Sequence, residues 1–141
     1  MWSEWQEIVL SPECTGAAIY RVRLLNNETD KPLLINRFLG VDGLGIVSLG
    51  KATNIKRRIQ QFCHGVEKCQ GHSEGNLFNL INQYCTHIKQ LNCSIEYQYK
   101  IVEVDLLSYE EEHLIKDYIK YFGEVPPLNS AIPRRYDSWV K

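Results

Sequence analysis

The chain has 141 residues, 44% of them hydrophobic, 23% charged and 11% aromatic, with five prolines; this is the size and balance of one compact domain and excludes a disordered or fibrous chain. Sixteen basic against seventeen acidic residues leave a formal charge of -1, which excludes a global positive field drawing the whole molecule onto nucleic acid or anionic lipid. Charges interrupt every apolar run well short of the roughly 20 residues a membrane-spanning helix needs, and five cysteines without a charged-then-apolar leader are expected to be reduced thiols in the cytoplasm.

Trp2 to Leu10 alternates only loosely, whereas Ala17 to Leu25 combines β-branched and aromatic residues with a partial period of two and reads as a strand. Asn26 to Pro32 is a turn-rich break, and Leu33 to Leu39 is apolar with no clear period before Gly40, Gly43 and Gly45. Gly45 to Leu49 reads as a hairpin return strand ending at Gly50. Thr53 is then the expected N-cap of a short helix whose Ile55, Ile59 and Phe62 share one face. Cys63 to Gly75 is polar and glycine-rich and reads as a loop. Leu77, Leu80, Ile81 and Tyr84 mark a second helix ending near 85–88, and Cys93 to Val104 alternates as a strand. Ser108 followed by Glu111 has the spacing of a capping box and opens the clearest helix, with a stripe of Leu114, Ile115, Tyr118, Ile119 and Phe122 before Gly123. Pro126-Pro127-Leu128-Asn129 and a tail with Arg134, Arg135, Tyr136 and Trp139 close the chain, with no repeat or linker; the expectation is one domain over 1–141.

Near-neutrality conceals polarity. Between Gly45 and Phe62 there are four basic residues, Lys51, Lys56, Arg57 and Arg58, and no acid, while seven acids lie between Glu103 and Glu124. The basic run is either a solvated helix face or a patch facing phosphates, in which the Arg58 guanidinium would supply a bidentate clamp. Glu111 lies on the apolar stripe with positions 115, 118 and 122. It therefore points at the core, where a carboxylate needs a metal ion, an arginine or the amides of its own helix; the capping box supplies the last of these. Tyr20 in its strand reads first as a packed ring with one hydroxyl partner. Cys63, His64, Cys69 and His72 offer four zinc-type donors within ten residues, but adjacent Cys63 and His64 are awkward ligands for one ion, so loop cysteines and surface histidines are the default. His113 reads as an exposed partner of the neighbouring glutamates.

Taken in order, Ala18-Ile19-Tyr20 on a first strand, Ser48-Leu49-Gly50 on a second, Arg58 eight residues later on a helix, Glu111 on a later helix and Asn129 after a double proline resemble the GIY-YIG nuclease superfamily. The resemblance covers about 16–129. It implies a small α/β domain with a three-stranded antiparallel sheet flanked by helices, and cleavage of DNA phosphodiesters with one Mg²⁺ or Mn²⁺. Residue by residue it implies that Tyr20 is the first-motif tyrosine, Gly50 the second-motif glycine, Arg58 the phosphate contact, Glu111 the metal ligand and Asn129 a brace, with Lys51, Lys56 and Arg57 beside the nucleic acid. Ser48 stands where the second motif has a tyrosine, and a serine hydroxyl has neither the reach nor the acidity to replace it; Ala18 replaces a glycine. The resemblance thus leaves two expectations. One is an active endonuclease, as monomer or homodimer. The other is a phage or bacterial relative that no longer cuts and binds nucleic acid or a protein partner as an inhibitor, immunity protein or adaptor.

Overall fold

The computed structural model describes residues 1–129, and the basic and aromatic tail residues Arg134, Arg135, Tyr136 and Trp139 lie outside the described residues. In chain order the elements are β1 (Gln6–Glu7), β2 (Ala18–Asn26), β3 (Lys31–Pro32), β4 (Ile35–Arg37), β5 (Gly40–Asp42), β6 (Ile46–Ala52), α1 (Ile55–Lys68), α2 (Ser73–Tyr84), α3 (Thr86–Gln90), β7 (Cys93–Ile101), a 3-10 turn (Val104–Leu106) and α4 (Leu107–Phe122). The fold is mixed α/β. Its frame is an antiparallel sheet in which β7 and β6 pair with opposite sides of β2, and the two-residue strands β1 and β3 extend it to five. The expected three strands are therefore the centre of a larger sheet, and β4 and β5 form a separate two-stranded ribbon.

Alternation along β2 builds two layers of core. Ala18, Tyr20, Val22 and Leu24 pack with Ile55, Ile59 and Phe62 of α1, while Ala17 and Ile19 pack with Leu107 of α4. Along β6, Ile46 and Leu49 join Ile115 and Tyr118 of α4, so α1 and α4 cover opposite faces of the sheet. Ile55, Ile59 and Phe62 have no exposed surface, and each contributes about 1.5–3 kcal/mol of burial. The outer edge of β6 is not left open: the Leu128 N–H donates to the Val47 carbonyl (2.8 Å) and the Asn129 side chain brackets Leu49.

Several boundaries differ from the sequence reading. β6 runs through Gly50 to Ala52. Asn54, not Thr53, caps α1, its Oδ1 accepting the Arg57 N–H at 3.0 Å. The expected loop from Cys63 to Gly75 is largely helical, because α1 continues to Lys68 and α2 starts at Ser73. Its glycines serve a close helix crossing: a Cβ on Gly75 would lie 2.6 Å from the Phe62 carbonyl oxygen and 3.1 Å from the Gly65 Cα. The capping box does not form. α4 continues directly from the 3-10 turn, Leu106 caps it without a side-chain hydrogen bond, and Ser108 Oγ accepts from Lys51 Nζ instead.

Candidate active site

Gly50 pairs directly with Tyr20 across the β2–β6 ladder. The tyrosine ring lies so close over that glycine that a Cβ there would sit 2.6 Å from Tyr20 Oη and 2.7 Å from its Cζ. A strand interior disfavours glycine on entropic grounds, and the close approach of the ring is the reason for it here. Tyr20 is buried, and its hydroxyl lies 3.4 Å from His72 Nε2.

His72 is a residue the sequence reading assigned to a loop surface. It is buried as the N-cap of α2, Nδ1 accepts the Gly75 N–H at 3.2 Å, and its ring lies 4.6 Å from that of Phe62. The Gly65–Gly75 crossing makes this placement available by bringing the start of α2 onto Phe62. Burial lowers the imidazole pKa, with Glu74 opposing the shift and Arg58 adding to it. The ring is therefore neutral near pH 7, and an Nδ1 that accepts from Gly75 leaves the proton on Nε2, facing the tyrosine oxygen. Glu74 Oε2 is 3.4 Å from Nδ1, a pairing that operates only when the imidazole is protonated. Histidine followed by Ser73-Glu74-Gly75 was the available signal: a polar residue ahead of an acidic first turn.

Charge gathers around this pair. Burial raises the Tyr20 pKa above its usual range, Glu74 and Glu111 push it the same way and Arg58 pulls it down. Burial likewise raises Glu111, with Lys51 and Arg58 countering and Glu74 reinforcing the shift. Arg58 and Glu74, from α1 and α2, thus act electrostatically on Tyr20, His72 and Glu111 alike, and Glu111 on Tyr20. Arg58 is half-buried and, with Ala52, Asn54, Arg57 and Gln61, lines a recess of about 160 Å³ at the start of α1. Lys51 Nζ is 3.7 Å from Glu111 Oε1 and 2.9 Å from Ser108 Oγ. Lys56 is half-buried and Arg57 exposed on the same helix.

The remaining predicted residues sit elsewhere. Asn129 Oδ1 accepts the Leu49 N–H and its Nδ2 donates to the Leu49 carbonyl, both at 2.9 Å, which fixes the strand carrying Gly50. Ser48 pairs with Val22 and is fully enclosed, its Oγ without a hydrogen-bond partner among the described residues. The four zinc-type donors are dispersed: Cys63 Sγ approaches Glu67, Cys69 Sγ donates to the Asn76 carbonyl, His64 is exposed and His72 faces Tyr20. Among the described residues no group of three or more His, Cys, Asp or Glu is arranged to hold a metal ion. The His113 ring lies 4.1 Å from that of Tyr109 and its Nδ1 3.1 Å from the Tyr109 carbonyl oxygen, a contact within its own turn of helix where the sequence reading expected the neighbouring glutamates.

Glu111 suits a hard cation that keeps most of its water. Mg²⁺ is commonly held by one or two carboxylates plus substrate phosphates, and Glu111 is a buried carboxylate whose ion-pair partner, Lys51, stands at 3.7 Å. No protein-family model, no curated protein and no solved structure matches the chain.

Proposed function

We propose that the chain is a metal-dependent DNA endonuclease of GIY-YIG type, acting in the cytoplasm and hydrolysing phosphodiesters at the Tyr20–Arg58–Glu111 site. The observation that carries the reading is the seating of Tyr20 on Gly50 within charge reach of Arg58 and Glu111, residues separated by up to 91 positions. Arg58 would hold the scissile phosphate through two parallel N–H donors, with Lys51, Lys56 and Arg57 attracting the flanking backbone. Glu111 would hold Mg²⁺ or Mn²⁺, which supplies Lewis-acid stabilisation of charge on the phosphate oxygens. A buried phenol with a raised pKa stays protonated at neutral pH, so Tyr20 orients the attacking water and does not deprotonate it. With His72 Nε2–H directed at its oxygen, the tyrosine keeps its own hydrogen for a substrate or water oxygen. Five free thiols fit a reducing compartment, and no described helix is long and apolar enough to cross a membrane.

The enclosed Ser48 and the Lys51 ammonium beside Glu111 favour a second reading, in which the chain binds nucleic acid or a protein partner without cutting, as an inhibitor, immunity protein or adaptor. Incubation with supercoiled DNA in Mg²⁺ or Mn²⁺ separates the two. Nicking by the parent protein that disappears in Glu111→Ala supports the endonuclease, and nicking that persists in that variant overturns the site. Salt-dependent binding without nicking selects the second reading.

A further inference from the structure

Opposite in character to the polar site, the β4–β5 ribbon and the end of α4 present apolar side chains to solvent. Leu34, Phe38, Leu39, Leu44 and Tyr121 are 50% to 77% exposed. They form one surface. The Leu39 N–H donates to the Phe122 carbonyl (3.2 Å), Phe38 and Leu39 crowd Gly123, and the Tyr121 ring lies 6.3 Å from that of Phe122. Leu44, Tyr121 and Phe122 line a groove of about 460 Å³, and across Gly43 from it Leu34 lines a second of about 550 Å³.

This surface is held firmly from beneath. Arg37 donates to the Val125 carbonyl (2.7 Å) and pairs with Glu124 (3.0 Å), whose Oε1 also accepts the Phe38 N–H (2.8 Å). Buried Asp42 accepts from Leu44 N–H, Ile46 N–H and Tyr118 O–H. A ribbon fastened by this many polar contacts, yet ending in exposed Phe38 and Leu39, is a preorganised display of apolar surface. Contiguous apolar patches above a few hundred Å² are uncommon on monomeric proteins.

We infer that this face is the interface of a homodimer, independently of the nuclease reading. Three features select a second copy as its occupant. By their fractional exposures these five residues leave roughly 700 Å² open to solvent, close to the ~800 Å² per partner of a stable interface. A two-fold interface needs projections and recesses on the same patch, and here Phe38 and Leu39 project beside two grooves. The first groove is lined by Arg21 as well as Asp42 and Asp117 and the second by Lys31, so two copies of a chain with net charge -1 meet with both signs of charge on the face.

Sedimentation velocity on the full chain from about 1 to about 200 µM tests the inference. The expected result is a reversible dimer, with Phe38→Asp and Tyr121→Asp each raising its Kd at least about tenfold while the far-ultraviolet spectrum and melting temperature hold. A monomer throughout the range overturns it and leaves the face to another protein or to the rest of the chain. A dimer insensitive to both substitutions also overturns it, because the contact is then elsewhere. Leu34→Ser, on the far side of Gly43, provides a milder variant should the aspartates unfold the ribbon, and an unchanged Kd there and for Leu44→Ser counts against the interface.

Discussion

Two buried carboxylates along the buried stripe of α4, Glu111 on the helix itself and Asp42 held against its Tyr118, are treated differently. Asp42 receives three hydrogen bonds, from Leu44 N–H at 2.9 Å, Ile46 N–H at 3.2 Å and Tyr118 O–H at 2.8 Å. Glu111 has a lysine at 3.7 Å and a pKa raised by burial. Two of the buried tyrosines follow the same division: Tyr118 donates to Asp42, while Tyr20 meets a neutral imidazole at 3.4 Å. A carboxylate whose work is to fasten the ribbon to α4 is satisfied in full, because each unpaired buried donor would cost stability. A carboxylate left under-satisfied at a place where arginine, histidine and tyrosine also gather carries an electrostatic cost, a pattern common at functional sites; under the proposed function a cation or substrate would relieve it.

The contrast predicts that the two acids respond oppositely to removal. Asp42→Ala strands two amides and a phenol in the interior and should lower stability by about 3 kcal/mol or more, with loss of the ribbon's protection in hydrogen exchange; an unchanged denaturation midpoint would show that solvent replaces those bonds. Next in size is Gly50→Ala. The added methyl meets the Tyr20 ring 2.6–3.0 Å away, so the strand or the ring must shift at a cost of about 1–3 kcal/mol. Placed in a Tyr20→Ala background, the same substitution should cost close to nothing, and a full cost in both backgrounds would place the strain in the backbone instead of the ring.

How much of this was legible in the sequence depended on whether the information was local. The apolar stripes of α1 and α4 and the alternation of β2 and β7 are periodic within one element, and Ile55, Ile59, Phe62, Ile115 and Tyr118 are buried as their spacing requires. Asp42, in a stretch without a clear period, could not be recognised as a fastener because its partners include Tyr118, 76 residues away. The glycines of the expected loop followed turn chemistry on paper, whereas Gly65 and Gly75 owe their identity to a helix crossing. That misreading hid His72, which reaches Tyr20 only because the crossing exists. Ser108 and Glu111 fit a capping box by spacing, but Lys51 on a distant strand engages both, a tertiary contact overriding a local one.

The smallest effect is the most diagnostic, since its sign differs from that of Asp42→Ala. Burial raises the Glu111 pKa in the folded state despite Lys51 and Arg58, so the folded protein binds a proton there more tightly than the unfolded chain does. The resulting destabilisation is absent below the unfolded value near ~4.3, grows as pH rises through the folded value and is complete above it. Glu111→Gln removes the titration while keeping the shape. It should therefore melt at a higher temperature than the parent protein at pH 7, and the gain should vanish as the pH approaches about 4. Mn²⁺ should raise the melting temperature of the parent and leave Glu111→Gln unmoved, because only the carboxylate offers the ion a charged ligand. A Glu111→Gln protein less stable than the parent at pH 7 would make the Lys51 pair a net structural contact, and the contrast with Asp42 would then be one of degree only.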